Sequence, residues 1–414
     1  MNVANLEEVK LHDPALFREG SPNELIKYLR ENDPVHWTEE TNGPGYWAVT
    51  RYDDIKQIEL DSETYSNEPN VTISDLNTKG DENHKLLIYS DAPWHTEHRK
   101  KIAPELSLSR VRKGREGMDS LVNLIVDMVI EKGEADLVSD LSAKMASYAI
   151  ADLMGLDREH SLSMFHAAEI LTQNIDMNSG VGLEATTTIM QHAMEAYNER
   201  QENPRDDTLT RLSRGQIQGN DVDFFQFGLE FILFVAAGSD TSRNVLSTGM
   251  LTLLEHPEAW NALRDNPELM PRAVEEMLRF NPPLMVMRRT TTRDVELRGR
   301  SIKKGQKVVM FYAGANRDPE VFENPDVFDI TRKVNPHMSF GAGRHHCLGA
   351  HLARLELTSM FSTMLRRMPD MEVTGPAEWP ENADVPTITG PVHVPIRFTP
   401  GAREVTGDVE SVFA

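Results

Sequence analysis

Residues 340–349 of the chain read FGAGRHHCLG and continue into AHLARLEL at residues 350–357. The glycines of this stretch carry no side chain, so they let the main chain approach something flat and bulky closely. Cys347 is the only cysteine of the chain, and it lies where this loop enters a predicted amphipathic helix. The N–H groups and the dipole at a helix N-terminus stabilise a thiolate, which is the form of cysteine that binds metals. The leucines that predict the helix are Leu348, Leu352 and Leu355.

Two other interpretations of this cysteine are open at this level. An inert buried cysteine beside a turn is the commoner case for a lone thiol, but it does not explain the spacing of the glycines. A zinc site made of His345, His346 and Cys347 has suitable ligand types, but three consecutive residues cannot easily converge on one ion. A single cysteine cannot form an internal disulfide, so the fold is not cross-linked.

The chain has 414 residues, of which 39% are hydrophobic and 26% are charged, so it can build a large core and remain globular. Its formal net charge of -22 repels nucleic-acid phosphates and anionic membranes, and we expect neither as the main partner. No stretch approaches the roughly 18 to 20 apolar residues of a membrane span, and the first residues do not resemble a secretion signal. We therefore expect a cytoplasmic protein.

No repeat or linker divides the chain, which favours a single domain over residues 1–414 with loosely ordered tails at 1–20 and 401–414. Alternating and β-branched residues at 45–52 and 295–311 predict short strands of a small sheet. Most of the remainder is predicted to be helical, including a helix from Met118 to Lys132 that stops at a glycine.

The longest predicted helix runs from about Asp223 to His256, where Pro257 stops it. At 1.5 Å per residue it would span about 50 Å, enough to cross the whole domain. Its centre is apolar on all sides, which is typical of a buried helix. The polar residues 238–241 interrupt that centre, and polar groups in such a place are costly unless they are paired.

The stretch at 340–349 resembles the heme-binding loop of the cytochrome P450 family, Phe-Gly-x-Gly-x-His-x-Cys-x-Gly. The resemblance implies heme b (iron protoporphyrin IX) with Cys347 as the iron ligand and O2 as co-substrate. It also implies a mainly α fold with small β-sheets and a long central helix crossing over the heme. The positions of this sequence that fill the pattern are Phe340, Gly341, Gly343, His345, Cys347 and Gly349.

Two further groups of residues match the family. Glu276-x-x-Arg279 is a common helical spacing that would mean little alone, but with Arg332 it matches a structural cluster under the heme. Ala237 to Thr241 matches the oxygen-activating motif of the long helix. There Asp240 and Thr241 are the predicted catalytic residues, and Gly238 would allow a local widening of the helix beside Ala237. Without the resemblance, a threonine bonded to its own helix and a solvated aspartate would explain the same residues.

The resemblance also assigns the heme propionates, which are anions that must be neutralised when buried. Their predicted partners are His95, Arg99, Arg289 and His345, and Arg288 could exchange roles with Arg289. Two positions depart from the commoner family residues, namely Ser242 after Thr241 and His346 beside the ligand. The second could alter the reduction potential or the surface that faces an electron donor.

The function implied is a heme-thiolate monooxygenase that hydroxylates an apolar small molecule, such as a terpenoid, steroid, fatty or aromatic compound. The chain contains no flavin or iron-sulfur segment, so a ferredoxin and a ferredoxin reductase are the expected electron donors. Methionines and apolar residues more often fill a core than set specificity. The predicted pocket consists of Phe234, Ala237, Leu284, Met285, Val286, Met287, Thr387 and Ile388. The predicted ferredoxin-docking residues are Lys100, Lys101, Arg110, Arg112, Lys113 and Arg344.

Two other function classes compete with this one. A peroxide-driven peroxygenase of the same fold would need no redox partner, but such an enzyme is expected to lack the acid and alcohol pair that this chain has at Asp240 and Thr241. A non-enzymatic heme protein that senses or carries a gas would need neither that pair nor a roomy apolar cavity.

Overall fold

The computed structural model describes residues 11–40, 43–75, 84–158, 161–172, 179–381, 385 and 387–405. The helices are α1 (Asn23–Asn32), α2 (Tyr52–Leu60), α3 (Trp94–Ile102), α4 (Leu108–Lys113), α5 (Arg115–Asp127), α6 (Ala143–Met154), α7 (Ser161–Thr172), α8 (Gly180–Glu202), α9 (Thr208–Ser213), α10 (Phe224–Glu255), α11 (Pro257–Asp265), α12 (Met270–Phe280), α13 (Tyr312–Asn316) and α14 (Ala350–Arg367). The strands are β1 (Val35–Thr38), β2 (Tyr46–Val49), β3 (Tyr65–Ser66), β4 (Glu134–Asp136), β5 (Gln216–Ile217), β6 (Asn220–Asp221), β7 (Val286–Thr291), β8 (Val295–Leu297), β9 (Arg300–Ile302), β10 (Lys307–Phe311), β11 (Glu372–Val373) and β12 (Pro395–Arg397).

The long helix predicted at 223–256 is confirmed as α10, which packs against α6, α7, α8 and α14. The side chain of Asp223 caps its N-terminus by accepting a hydrogen bond from the N–H of Gln226 at 2.9 Å. The helix stays regular through Gly238, so the widening expected there is not present. A Cβ at Gly238 would lie 2.5 Å from Cδ1 of Ile150, and the glycine thus serves the close packing of α6 on α10.

The predicted strands are confirmed in a five-stranded sheet of order β1-β2-β10-β7-β3 and in the hairpin of β8 and β9. Of the 45–52 segment only Tyr46–Val49 is extended, because α2 begins at Tyr52. All five residues of β10 are buried, as expected of a strand with a neighbour on each side. β7 was not predicted, because its sequence VMRRTT carries two consecutive arginines and does not alternate in polarity.

The helix predicted at Met118–Lys132 begins at Arg115, and its α-helical part ends at Asp127 before a series of tight turns. Gly133 then takes a φ of +73°, as a residue that ends a helix commonly does.

The described parts of the two tails, 11–20 and 401–405, differ from the expected loose order. Leu11 and Phe17 are fully buried, and the N–H of Gly401 bonds to the carbonyl of Ile130 at 3.0 Å. The rest of both tails lies outside the described residues.

No helix in the described ranges has the length and apolarity that crossing a membrane requires. Within these ranges the apolar side chains form one large cluster around α5, α10, α12 and α14 and a second under α7, α8 and the first half of α10. Two smaller clusters lie on either side of the main sheet. This arrangement places α10 between a helical layer and the α14 helix that follows Cys347.

A buried carboxyl group joins α10 to α14. Ser242 donates a hydrogen bond to Oε2 of Glu356 at 2.6 Å. Burial is the main influence on this group, and it raises the pKa of Glu356 from its ordinary 4.5 to about 7, while the bond from Ser242 acts in the opposite direction. The uncharged acid is therefore the form that this contact favours.

Glu356→Gln is expected to stabilise the protein at high pH more than at low pH. Because the folded pKa is raised, the stability associated with the protonated acid is present below pH 4.5 and is lost as the pH rises through about 7. An amide cannot ionise, so the variant should gain up to roughly 3 kcal/mol over the wild type between pH 5 and pH 8. Thermal unfolding across this range measures the difference. Glu184→Gln, at an exposed position of α8, should show no such trend, and a difference independent of pH for Glu356→Gln would contradict the assignment.

Candidate functional site

Cys347 lies one turn before α14, with its own N–H bonded to the carbonyl of Phe340 at 2.8 Å. Its side chain is accessible at the surface of the protein chain, although enough protein surrounds the sulfur for desolvation to raise the pKa of the thiol. Hydrogen bonds from the N–H groups of Gly349 and Ala350 and the charge of Arg99 act in the opposite direction. Cys347 thus lies where the sequence predicted it, between the loop and the helix. Coordination to a metal ion would remove the proton from this thiol.

The glycines of the loop are explained by backbone conformation and by contact with α2. Gly341 and Gly343 both have a φ of +65°, in the left-handed region that side chains disfavour. A Cβ at Gly343 would lie 2.6 Å from the main-chain oxygen of Glu59, so α2 and the loop touch through their backbones. The loop therefore has its shape before any ligand is considered.

Phe340 and the first turns of α14 are held by a cluster that sequence reasoning did not identify. Arg354 lies over the ring of Phe340, with its guanidinium carbon 4.4 Å from the ring centroid. The same guanidinium forms two hydrogen bonds with Glu275, at 2.6 and 2.9 Å. Burial would raise the pKa of Glu275, but the bonds from Arg354 and His337 outweigh it and lower this pKa to about 2. The only sequence signal was the position of Arg354, seven residues after Cys347.

The structure brings Glu276, Arg279 and Arg332 together as predicted. Glu276 and Arg279 are fully buried and joined by two hydrogen bonds, at 2.7 and 2.8 Å. The other N–H donors of Arg279 bond to main-chain carbonyls of residues 316, 325 and 327, so all five donors of the guanidinium are used. Nε of Arg332 bonds to Oε2 of Glu276 at 3.1 Å. The pair thus folds the 316–335 segment, which leads into the Cys347 loop, against α12.

The predicted catalytic residues lie on two sides of α10. Thr241 is partly exposed and donates to the carbonyl of Ala237, itself exposed, at 2.8 Å. Asp240 is buried and accepts a hydrogen bond from Arg243 at 2.7 Å. Arg243 also pairs with Glu169 of α7 at 2.7 Å. The alcohol is therefore available to a ligand, whereas the acid is engaged in an ion-pair chain that reaches α7.

Two of the predicted propionate ligands are imidazoles in contact, with their ring planes tilted by 40°. The ring centroids of His95 and His345 are 4.0 Å apart. Burial, together with the charges of Arg99 and Arg344, lowers the pKa of His95 to about 4, and burial with its cationic neighbours lowers that of His345 to about 2. Within the described part of the chain, both ring nitrogens of His95 lack a hydrogen-bond partner, and so does Nε2 of His345.

Buried nitrogens without partners are costly, so this pair fits a ligand that carries acceptor groups. The two carboxylates of heme are such acceptors, and Cys347, whose side chain is accessible, follows His345 by two residues. Arg99 contacts the Cys347 loop, since its Nη2 donates to the main-chain carbonyl of His346 at 2.6 Å. The residues present therefore fit heme b, for which Cys347 would supply a thiol ligand and His95, His345 and Arg99 would supply donors.

The two consecutive arginines of β7 are separated by the structure. Arg289 is the one that faces the site, because its charge acts on His345. Arg288 instead bonds to Asp75 at 2.5 Å, and adjacent residues of a strand point to opposite faces of a sheet. Arg289 is already engaged, since its Nη2 donates to Oε2 of Glu59 at 2.9 Å.

The structure divides the predicted pocket residues into two sets. Ala237, Leu284, Met287 and Ile388 retain accessible surface, and Leu284 pairs with Ile388 through a backbone bridge. The others are packed into the interior instead. The main chain of Met285 forms hydrogen bonds with residues 312 and 387. The side chains of Met285 and Val286 belong to one of the two apolar clusters beside the main sheet. The interior residues of the predicted set are Phe234, Met285, Val286 and Thr387.

The predicted docking residues lie on α3, on α4 and in the Cys347 loop, and α4 packs against α14. Nη1 of Arg344 lies 3.4 Å from the hydroxyl of Thr96, which joins the loop to α3. Lys100, Arg112 and Lys113 are exposed, and no ion pair is found for them among the described residues. Arg110 differs, because Glu105 and Asp206 neutralise its charge.

Comparison with known proteins gives concordant matches. The family model of cytochrome P450 matches residues 181–369. The steroid C26-monooxygenase of Rhodococcus jostii (strain RHA1) is 33% identical over 88% of this chain and 79% of its own. The linalool 8-monooxygenase of Pseudomonas putida is 32% identical over 89% of this chain and 94% of its own. A solved structure of a Mycobacterium marinum cytochrome P450 in complex with pseudoionone superposes with a TM-score of 0.88 at 28% identity, covering 96% of this chain and 100% of that one.

Proposed function

The chain belongs to the cytochrome P450 family and is a heme-thiolate monooxygenase, and we propose that it hydroxylates a neutral terpenoid or steroid-like compound with electrons from a ferredoxin. The observation that supports the heme site is the accessible side chain of Cys347 just before α14, two residues after His345, together with the unpartnered nitrogens of His95 and His345. We also propose the cytoplasm as its compartment, in keeping with a single cysteine and no internal disulfide.

The heme would be held on three sides by this chain. Cys347 supplies the sulfur ligand, while His95, Arg99, Arg289 and His345 supply donors for the propionates. Phe340, Gly341 and Gly349 would shape the loop around the sulfur, and the main chain at Ala237 and Gly238 would border the heme on the α10 side while the Cα of Gly238 packs against Ile150 of α6. When bound, the heme supplies the reduction of dioxygen and the transfer of one oxygen atom to a carbon.

The residues of α10 would control hydrogen bonding and proton supply on the side of the helix where Ala237 and Thr241 are accessible. Thr241 Oγ1 now donates to Ala237, and a rotation about χ1 would redirect its O–H to an oxygen atom or a water molecule beside it. Asp240 accepts a hydrogen bond from Arg243, so a break in this pair would free its carboxylate for the proton route. Glu169 would keep Arg243 paired while that happens.

The substrate proposal is supported by the accessible members of the predicted pocket and by the relatives. Ala237, Leu284, Met287 and Ile388 offer aliphatic and thioether surface, which favours neutral apolar compounds. Relatives that cover most of the chain are named for a steroid and for the terpenoid linalool. A fatty or aromatic substrate offers similar apolar surface, and a panel of such compounds screened for the optical spin-state change on binding separates these classes.

Cys347→Ser is expected to remove thiolate ligation of the iron. The reduced wild-type protein with carbon monoxide should show the red-shifted Soret band of thiolate-bound heme, and the serine variant should lack it. His346→Ala changes the neighbouring side chain without touching the sulfur and should keep the band. Persistence of the band in Cys347→Ser would exclude Cys347 as the ligand.

Thr241→Ala should uncouple electron consumption from product formation by several-fold, because the variant loses the hydroxyl that orders protons on the open side. Hydrogen peroxide should then accumulate while reductant is still consumed. Ser239→Ala is the matched control, since Ser239 bonds to its own helix in the same way but is fully buried on another face. Equal coupling in the two variants would remove Thr241 from the proton route.

Weak activity with peroxide alone would separate this enzyme from a peroxygenase, and any turnover separates it from a gas carrier.

The ferredoxin proposal is tested by ionic strength and charge reversal. Reduction by ferredoxin with its reductase should slow as salt rises, because basic side chains around Cys347 would attract an acidic partner. Arg112→Glu should raise the apparent KM for ferredoxin several-fold, whereas Lys304→Glu, in the turn before β10, should not. A rate that responds to neither salt nor Arg112→Glu would rule out this docking face.

A further inference from the structure

A buried carboxylate reaches the proposed heme site from α2, a helix outside the heme motifs. The side chain of Glu59 is 1% exposed, and its Oε2 accepts the hydrogen bond from Nη2 of Arg289 at 2.9 Å. Its Oε1 accepts a hydrogen bond from the hydroxyl of Tyr312. A Cβ at Gly341 would be 3.6 Å from Oε1, so the carboxylate also borders the Cys347 loop.

These contacts fix the guanidinium that is assigned to a propionate. Arg289 donates through Nη1 to the main-chain carbonyl of Arg288 at 2.9 Å and through Nη2 to Glu59. A guanidinium has five N–H donors in one plane, so two anchored donors define the direction in which the others point. Arg289 is thus held in place by the protein and still has donors left for a carboxylate of the cofactor.

The surroundings of Glu59 suit an ionised carboxylate. Burial and the negative charge of Glu59 raise the pKa of Tyr312 well above its ordinary value, so its phenol keeps the proton that it donates. Among the described residues the recorded partners of the Glu59 carboxylate are this phenol and a guanidinium, and both are donors. A carboxylate that meets only donors is best matched in its charged, acceptor-only form.

We propose that Glu59 is a positioning residue of the heme, which orients Arg289 and whose negative charge makes reduction of the iron less favourable. This inference rests on the heme site proposed above. The one-electron reduction from ferric to ferrous iron, with the electron supplied by the ferredoxin, adds negative charge to the cofactor. A fixed carboxylate in low-dielectric surroundings opposes that charge, and it also offsets part of the positive charge that Arg289 presents to the propionates.

Glu59→Gln is the primary test, read as the reduction potential in a spectroelectrochemical titration. Glutamine carries no charge, and its one amide oxygen can accept from Arg289 while its NH2 group donates to the hydroxyl oxygen of Tyr312. The potential should become more positive, with a change in the reduction equilibrium on the order of tenfold, which is about 59 mV for a one-electron couple. Glu59→Asp retains the charge and should stay close to the wild type, even if its shorter side chain lowers the melting temperature.

Asp54→Asn provides the matched control on the same helix. Asp54 is also buried, but it pairs with Arg298 in the turn between β8 and β9, at 2.5 Å, rather than with the heme site. This variant should leave the potential unchanged. If Glu59 were only a packing residue, Glu59→Gln would lower the melting temperature without moving the potential beyond that of Asp54→Asn, and this result would overturn the proposal.

Tyr312→Phe covers the case in which Glu59→Gln does not retain heme. It keeps Glu59 and Arg289 but removes the hydroxyl that donates to Oε1 of Glu59, so the carboxylate charge is less offset and the potential should become more negative, whereas an unchanged or more positive potential would contradict the proposed charge effect. The carbon monoxide spectrum of the wild type separates the two levels of failure. A missing thiolate band refutes the heme site itself, while an unchanged potential in a protein that shows the band refutes only the role of Glu59.

Discussion

Burial of charge is the constraint on which this structure depends. A charged side chain inside an apolar core is costly unless an oriented partner meets it, and breaking such a pair leaves the remaining charge uncompensated. Glu276 and Arg279 have no exposed surface, and they satisfy each other together with the carbonyls of the segment that leads to the heme loop. The place of the loop that carries Cys347 therefore depends on the packing of the preceding segment around the pair.

The same constraint divides α10 into faces with different tasks. Thr241 and Ala237 remain accessible toward the site, while Ser242 contacts Glu356 of α14 and Asp240 contacts Arg243. One helix thus joins the accessible side that carries Thr241, the helix that follows Cys347 and the α7 helix. A movement of α7 would shift Glu169 and so change the contact between Arg243 and Asp240, because Arg243 bonds to both carboxylates.

Several features were predictable because their signals are local. The helix at 223–256 follows from an uninterrupted apolar stretch between a capping aspartate and a proline. The strands at 295–311 follow from alternation, whereas β7 was missed because its arginines make their pairings with α2 and with residue 75 rather than with solvent. Met285 and Val286 were expected in the pocket because they are apolar and follow two prolines. Which apolar side chain faces a cavity and which faces the core depends on the layer that packs against it, and the pattern does not contain that information.

The sequence by itself determined the position of the sulfur ligand, since Cys347 is unique and its loop, glycines and helix are contiguous. It also determined the family, because those residues occur together at fixed spacing. Only the tertiary structure decided the electrostatics of the site, namely the pairing of Glu59 with Arg289, of Glu275 with Arg354 and of Asp240 with Arg243. The physical reason is that an ion pair depends on distance in space, and two of these three join segments that are about 80 and 230 residues apart in the chain.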